Sequence, residues 1–305
     1  MKRITVEDFE LAFKDELSPF VTQKIESLNL AYHDVSVEQY NEIVFQLIKT
    51  LFDSNVKKAG KHRLNDWVRG WSENHSEYSD SKEFSSLIPK YFGKLPFVRW
   101  KQKFIKPAYL EFEYDMVQVL QYWLFEKHFS NVTDVYEFGC GTGHNLFRVK
   151  DVNSHATIHG LDWTTSSQKI IKDVNEELNL NFKAHNFDFF NINKDFELRP
   201  NSGVYTFAAL EQATNNYQEF IDYLVEQKPE ICVHIEPMGE YLDEDNLNDY
   251  LSIKYFEKRS YVDGLRDYLL QLENDGLIEI VQDQRSYIGS MFVDGYSILV
   301  WKVKK

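Results

Sequence analysis

Residues 135–145 read VYEFGCGTGHN, a short apolar run that leads into three alternating glycines. The glycines are Gly139, Gly141 and Gly143, and Glu137 stands two residues before the first of them. Glycine adopts backbone angles that are closed to other residues, and it lets a ligand lie against the main chain. The stretch therefore predicts a strand followed by a ligand-binding loop, a position that suits a nucleotide-like cofactor.

This loop departs from the dinucleotide fingerprint G-x-G-x-x-G. The third glycine of that fingerprint would fall at position 144, where the chain has His144. The pattern is instead E-x-G-x-G-x-G, so a dehydrogenase interpretation lacks one of its three glycines. His144 is expected to start the following helix.

The chain alternates between strand and helix patterns from residue 108 onward. Helices are expected near 108–129, 166–178, 216–227 and 246–273, and strands near 132–138, 156–162, 181–188, 203–210, 231–237, 277–282 and 296–302. Strands separated by helices indicate parallel βαβ units. The last two strands have no helix between them and are expected to form an antiparallel hairpin. An open sheet of this kind binds its ligand at the carboxyl ends of the strands.

The first 107 residues have a helical, aromatic-rich pattern. Ser36 and Gln39 form a capping-box pattern that opens a helix over 36–58. Residues 62–94 are expected to form short helices and loops, because they mix two tryptophans with Ser, Asn and Gly. We therefore predict a helical N-terminal region over 1–107, acting as a substrate lid or an interface, and an α/β domain over 108–305.

Composition narrows the class of protein. A chain of 305 residues with 43% hydrophobic and 15% aromatic residues can build a large core. Its net charge of −14 argues against a general nucleic-acid coat. Two cysteines form no disulfide framework and fit a reducing cytoplasm. With no apolar leader at the N-terminus and no long apolar run, we expect a cytoplasmic protein without a membrane span.

The motif EFGCGTG resembles the first motif of class I S-adenosylmethionine-dependent methyltransferases, and the resemblance extends over roughly 108–305. It implies a Rossmann-like α/β fold with a seven-stranded, mostly parallel sheet and an antiparallel terminal hairpin. It also implies S-adenosyl-L-methionine as the cofactor. Asp162 lies 25 residues after Glu137, at the end of the second strand, where the family holds both ribose hydroxyls of the cofactor.

Further cofactor contacts follow from the resemblance. Asp188, with its neighbour Phe189, ends the third strand, where the family often contacts the adenine amino group. Trp163 is placed to cover the adenine face. Glu137 is placed to order the loop or to reach the cofactor's amino group through water. Each position has a structural alternative: a backbone cap for Glu137, a helix cap for Asp162, a turn for Asp188 and plain core for Trp163.

Acceptor-binding and catalytic residues are expected at the ends of the fourth and fifth strands, which read FAALEQ and VHIEPMGE. Glu211, Gln212, His234 and Glu236 are the candidates there. His234 and Glu236 share one side of their strand, with Glu236 nearer its end. The alternatives are a buried core histidine for His234 and a structural role for Glu211. The spacing of the histidines and acids matches no metal-ligand signature, so no metal is expected.

Two observations bear on the acceptor. The family's amino-methylating nucleic-acid enzymes carry an Asn- or Asp-Pro-Pro-aromatic motif after the fourth strand, and this chain has AALEQ there. Residues 90–106, KYFGKLPFVRWKQKFIK, hold six basic residues interleaved with aromatic residues and no acid. This stretch is consistent with a site for an anionic substrate, with a solvated basic face over packed aromatic rings, or with an RNA-binding strip.

These patterns favour methyl transfer to a small polar acceptor, and a sugar hydroxyl of a nucleotide- or polymer-linked carbohydrate is one example. A nucleic-acid partner is not expected. The alternatives are an RNA or protein methyltransferase and a cofactor-binding protein without turnover. Whether the N-terminal region covers the site or forms a homodimer interface stays open at this point.

Overall fold

A computed structural model describes residues 1–304, which form two β-sheets and their covering helices. In chain order the elements are β1 (Lys2–Arg3), α1 (Val6–Phe13), α2 (Pro19–Ser27), β2 (Ala31–Asp34), α3 (Val37–Phe52), α4 (Leu64–Ser81), β3 (Val98–Trp100), β4 (Lys103–Pro107), α5 (Phe112–Phe129), β5 (Asp134–Phe138), α6 (Leu146–Val152), β6 (Thr157–Asp162), α7 (Thr165–Leu178), β7 (Phe182–Asn186), β8 (Ser202–Phe207), α8 (Tyr217–Gln227), β9 (Ile231–Glu236), α9 (Leu247–Arg259), α10 (Leu265–Asn274), β10 (Ile278–Gln284), β11 (Ile288–Ser290) and β12 (Ser297–Val303).

The large sheet has seven strands in the order β10-β12-β9-β8-β5-β6-β7. Strands β5 to β9 pair in parallel, and β12 pairs antiparallel with both β9 and β10. The Rossmann-like sheet and its antiparallel terminal pair are thereby confirmed. The strand order reverses at β5, so the carboxyl ends of β5, β6 and β8 meet where such a sheet binds its ligand.

The N-terminal region is helical as predicted, but it also contributes strands that the sequence analysis did not predict. These strands form a second sheet in the order β1-β2-β4-β3-β11, in which every pairing is antiparallel. Its last strand, β11, comes from the segment between β10 and β12. The division at residue 107 stays a prediction, and β11 crosses it.

The expectation of short helices over 62–94 was wrong for much of that range, because α4 spans 18 residues. Only Asn74 and Tyr78 are buried among them. Contacts with α7 hold the polar helix in place: His75 Nε2 lies 2.6 Å from Asp173 Oδ2, and Ser166 Oγ donates to the Val68 carbonyl at 3.3 Å. Tertiary contacts of this kind are invisible to a local pattern.

Helix α3 confirms the capping box, with Ser36 as its N-cap and Gln39 bonding back to the Ser36 N–H. The helix ends at Phe52, six residues earlier than predicted. The expected helix over 246–273 is interrupted, since Ser260 ends α9 in the left-handed region with φ of 53°. The segment before α10 includes Tyr261, which the break directs toward the functional site described below.

Helix α5 is buried along most of its length, in a core that it shares with residues of both sheets. Its apolar side chains belong to the larger core cluster, which also contains residues of α1, α2 and the sheet. A second cluster on the other side of the large sheet packs α8 and α10. Within residues 1–304, no helix has both the length and the apolar character needed to cross a membrane.

Candidate functional site

A cavity of about 740 Å³ lies at the carboxyl ends of β5, β6 and β8. Its walls come from the glycine loop, from α4 and the loop after it, and from the segments around α9 and β11. The lining includes acidic, basic and aromatic side chains, among them Trp67, Trp71, Glu113, Asp162, Trp163, Phe189, Glu211, Arg259, Tyr261 and Tyr296. The volume falls in the range of small-molecule and cofactor sites.

The three glycines have positive φ angles of 80°, 55° and 75°, so each adopts a backbone conformation that favours glycine. The protein's own packing adds a second requirement. A Cβ at Gly139 would lie 2.3 Å from the Ala209 Cβ, and one at Gly141 would lie 2.9 Å from Trp71 Cζ2. Gly139 and Gly141 line the cavity, whereas Gly143 packs against Ile171.

Glu137 is buried beneath this loop and does not line the cavity. Asn145 Nδ2 donates to its Oε1 at 2.7 Å, and the Tyr205 hydroxyl donates to its Oε2 at 2.9 Å. Burial raises the pKa of Glu137 to about 8 despite these two hydrogen bonds. The geometry supports the interpretation that Glu137 orders the loop from below.

Asp162 lines the cavity at the end of β6 and is buried. The Gly141 N–H donates to its Oδ2 at 3.0 Å, and the Thr164 N–H donates to its Oδ1 at 2.8 Å. Burial raises the pKa of Asp162 in spite of these bonds. A carboxylate oxygen can accept more than one hydrogen bond, so both oxygens of Asp162 can still accept one from a ligand hydroxyl.

Aromatic residues continue the cavity wall beyond Asp162. Trp163 lies 5.5 Å from Phe190 between ring centroids, and Phe189 lines the same wall. Asp188 does not line the cavity, and its Oδ1 accepts from the Phe190 N–H at 2.8 Å. Asp188 thus forms the turn that was its structural alternative, while its aromatic neighbours face the cavity.

Glu211 and Gln212 both line the cavity, in a short 3-10 turn after β8. Burial raises the pKa of Glu211 to about 7, although Gln212 Nε2 donates to its Oε1 at 2.8 Å. The positive charge of Arg259 acts against this rise in the pKa of Glu211. A carboxyl with a pKa near neutrality suits proton transfer.

Glu236 and His234 were expected to contact the substrate, but neither side chain lines the cavity. Glu236 is fully buried, and its two oxygens accept from the backbone N–H groups of residues 209–211 at 3.1, 3.1 and 3.3 Å. His234 Nδ1 lies 3.0 Å from the Thr206 hydroxyl, and its ring stacks on Trp301. Burial lowers the pKa of His234 to about 3, as for a core histidine.

Several lining residues were not predicted as site residues. The Tyr296 hydroxyl donates to Glu113 Oε1 at 3.2 Å, and burial raises the pKa of Glu113 to about 7. Trp67 and Trp71 stack with centroids 5.4 Å apart. A spacing of four residues between two tryptophans was the one local signal available. Glu113 and Tyr296 are 183 positions apart, and no motif joins them.

The basic stretch 90–106 does not form one charged face. It includes β3 and β4, and Arg99 is buried, donating to the carbonyls of Met291 and Asn248. Lys101 pairs with Asp8 at 2.8 Å. Of this stretch only Lys90, Tyr91, Lys94 and Leu95 line the cavity. Residues 90–106 are best described as partly paired basic residues over packed aromatic rings.

Among residues 1–304, no group of three or more His, Cys, Asp and Glu side chains is arranged to hold a metal ion. Both cysteines, Cys140 and Cys232, are buried and free.

The chain matches no protein-family model and no curated protein. Among solved structures it is similar to the plantazolicin methyltransferase BpumL in complex with SAH, with 12% identity, a TM-score of 0.47, and coverage of 87% of this chain and 99% of that one. SAH-bound PaMTH1 of Podospora anserina has 10% identity, a TM-score of 0.44 and coverage of 90% and 99%. The O-methyltransferase NcsB1 from neocarzinostatin biosynthesis has 12% identity, a TM-score of 0.39 and coverage of 79% and 70%.

The strand order decides the fold: five parallel strands, a reversal at β5, and an antiparallel β12 inserted between β9 and β10. The glycine loop follows β5, and an acid ends β6. The chain therefore has a Rossmann-like fold, as the resemblance to class I S-adenosylmethionine-dependent methyltransferases implied.

Proposed function

We propose that this protein is an S-adenosylmethionine-dependent methyltransferase that acts on a small polar acceptor, with a sugar hydroxyl of a nucleotide- or polymer-linked carbohydrate as the first candidate. One observation carries the proposal. A single cavity connects the glycine loop and Asp162 with the buried carboxyl of Glu211. A cofactor half and an acceptor half therefore share one enclosure at the expected end of the sheet.

The cofactor half fits S-adenosylmethionine. Gly139 and Gly141 provide a main chain without side chains at the cavity wall. Asp162 offers a buried carboxylate with lone pairs left for two ribose hydroxyls. Trp163 and Phe189 supply aromatic faces for the adenine. When bound, the cofactor supplies an electrophilic methyl group on a sulfonium.

The acceptor half contributes positioning and proton removal. An acceptor hydroxyl beside Glu211 transfers its proton to that carboxylate as the oxygen becomes a nucleophile. Glu236 holds the turn that carries Glu211 through three backbone N–H groups, so we assign it a positioning role. Trp67 and Trp71 of α4 cover the cavity and keep bulk water away from the reacting atoms.

The cavity wall supports a polyhydroxylated acceptor. Four further lining side chains combine aromatic faces with hydrogen-bonding groups: Tyr255, Tyr261, Glu113 and Glu211. Sugars present both apolar C–H faces and hydroxyl groups, so they match walls of this kind. A carbohydrate acceptor therefore remains the first choice within the class of small polar molecules.

The first experiment is calorimetric titration of the purified protein with S-adenosylmethionine, with NADH as the control ligand. Binding of the former alone supports the proposal, and release of S-adenosylhomocysteine in the presence of pooled sugar nucleotides would then identify the acceptor class. Cofactor binding without turnover on any pool favours a non-catalytic binding protein. Tight, saturable binding of tRNA would favour RNA methylation and remove the sugar interpretation.

A further inference from the structure

Arg259 ends α9 and contributes its side chain to the acceptor half of the cavity. Its Nη1 donates to the Tyr255 hydroxyl at 2.9 Å. The guanidinium also lies over two aromatic rings, 5.7 Å from the centroid of Tyr255 and 5.0 Å from that of Tyr261. These contacts fix the orientation of the guanidinium before any ligand arrives.

The other edge of this guanidinium has no partner. Its Nε is buried without a hydrogen-bond acceptor, and the carboxyl of Glu211 acts on the guanidinium only through its charge. Nη2 likewise has no acceptor among residues 1–304. Nε and Nη2 are the two donors that a planar guanidinium offers side by side to an oxyanion. Leaving a buried charged donor unsatisfied is costly, so its retention here points to a ligand.

The charges around the cavity differ from those of the whole chain. The sequence has 34 basic and 48 acidic residues, yet the lining contains six Lys or Arg and five Asp or Glu. Asp66 alone pairs with three of these cations, Lys57, Arg63 and Arg69. Two of the five acids, Glu113 and Glu211, have pKa values raised to about 7 by burial. A ligand with negative charge therefore meets a locally cationic wall.

We infer that the acceptor carries an oxyanion, a carboxylate or a phosphate, which the free edge of Arg259 binds beside Glu211. The inference rests on the proposed function and narrows its acceptor class to small anionic molecules. It moves the anion site from the basic stretch 90–106, where the sequence had suggested it, to the end of α9. A sugar that bears a phosphate or a carboxylate satisfies both halves of the proposal.

The test uses aromatic anions, because tyrosine rings flank Arg259. Benzoate and phenyl phosphate are titrated into the full-length protein, with and without S-adenosylhomocysteine, and benzamide serves as the uncharged isostere of benzoate. We expect wild-type protein to bind at least one of the two anions at least tenfold more tightly than benzamide. If benzoate binds more tightly than phenyl phosphate, the oxyanion is a carboxylate. If phenyl phosphate binds more tightly, it is a phosphate.

Two substitutions locate the effect. Arg259→Met should abolish the preference for the anion, and Arg259→Lys, which keeps the charge without the planar fork, should leave an intermediate preference. The matched control is Lys258→Met, which removes one positive charge from the same helix at a residue outside the cavity lining. It should retain the wild-type preference. Thermal unfolding of all three variants checks that the fold is retained.

Equal binding of benzoate, phenyl phosphate and benzamide to the wild-type protein would overturn the inference, as would an anion preference that survives in Arg259→Met. Titration of the same samples with S-adenosylmethionine separates the two proposals. Cofactor binding without an anion preference removes only the Arg259 site. An Arg259-dependent anion preference without cofactor binding keeps the site and removes the methyltransferase proposal.

Discussion

At the scale of single residues, the proposed cofactor site depends most on Asp162. Its two oxygens already tie the glycine loop to the start of α7 through Gly141 and Thr164. The same carboxylate is the proposed ribose ligand. One side chain thus shapes the loop and faces the cavity.

Replacing Asp162 by Ala is expected to weaken S-adenosylmethionine binding at least tenfold, because two charge-assisted hydrogen bonds to the ribose are lost. The melting temperature should fall by a few degrees, since two backbone N–H groups lose their acceptor. Calorimetry and thermal unfolding measure the two effects. Asp188→Ala is the comparison, because Asp188 lies outside the cavity and should change cofactor affinity far less.

Glu211 gives a prediction about pH. A proton acceptor works only when ionised, and burial raises its pKa to about 7. Methyl transfer under kcat/KM conditions should therefore rise with pH around 7 and level off above it. Glu211→Gln is expected to slow turnover by roughly a hundredfold or more while leaving cofactor affinity within about twofold. A rate unaffected by the substitution would remove the proton-acceptor role.

The sequence revealed part of this site and missed the rest for a physical reason. The glycines, Asp162 and Glu211 follow strands whose carboxyl ends meet, so a local pattern is enough to place them. Tyr261 reaches the cavity after α9 breaks at Ser260, and the sequence pattern ran through that break. Arg259 belongs to no local motif that would have marked it. Strand alternation put His234 and Glu236 on one side, but that side faces buried backbone and core, away from the cavity.

Among the elements, the three-residue strand β11 joins the two halves of the protein. It pairs with β3 of the small sheet, while its flanking segments continue into β10 and β12 of the large one. Asp294, just after β11, pairs with Arg285 at 2.8 Å and lies 3.7 Å from Arg99 of β3. Buried ion pairs with several hydrogen bonds hold this junction together.

Gly289→Ala tests the junction. An added Cβ would lie 2.3 Å from the Val293 carbonyl oxygen and 3.0 Å from the Asp294 Cα, both backbone atoms. The tight segment must shift, and we expect a loss of about 2 kcal/mol or more in the free energy of unfolding. Chemical denaturation measures it.

Gly70→Ala is the matched control for this substitution. Gly70 lies inside α4, and a Cβ there meets no atom within 4 Å. Ala in a helix interior is more favourable than Gly by roughly 0.5–1 kcal/mol, so this variant should be slightly more stable. If both variants unfold like the wild type, the close packing at β11 is not a source of stability.

The element boundaries show where local patterns succeed. The strands of the large sheet begin and end within a few residues of their predicted positions, because buried strands are continuous apolar runs. The small sheet was not predicted, since β1, β3 and β11 have only two or three residues each. Strands this short have no periodicity to detect.

The molecule as a whole contains several buried glutamates and histidines whose pKa values are shifted by burial. Burial raises the pKa to about 7 or 8 for Glu113, Glu137, Glu211 and Glu236. Burial also lowers the pKa of three buried or half-buried histidines to about 3 or 4, namely His128, His185 and His234. The two groups act on stability in opposite directions.

Between about pH 4.5 and 6.5 these effects oppose each other, because the folded protein holds extra protons on glutamates and fewer on histidines. Above pH 6.5 the histidines are neutral in both states, whereas the folded glutamates still hold protons that the unfolded chain has lost. The free energy of unfolding should therefore fall from about pH 6.5 to 8.5, by about 1.4 kcal/mol per pH unit for each extra proton.

Urea unfolding at several pH values measures this slope. Glu211→Gln removes one of the groups, so its slope between pH 6.5 and 8.5 should be shallower than that of the wild type. A stability that is constant or rises over this interval would contradict the assignment of raised pKa values to the buried glutamates.

The position of β11 also has a consequence for the order in which the protein folds during synthesis. The small sheet begins at residue 2 but receives its last strand only at residues 288–290. A chain that emerges from the ribosome N-terminus first must keep the exposed edge of β3 unpaired until residues 288–290 have been made. Residues from α4 and from the β11 segment line the same cavity, so the cavity is completed only after residue 296 has been made. A nascent chain stalled before residue 288 should therefore carry the glycine loop but lack a finished binding site.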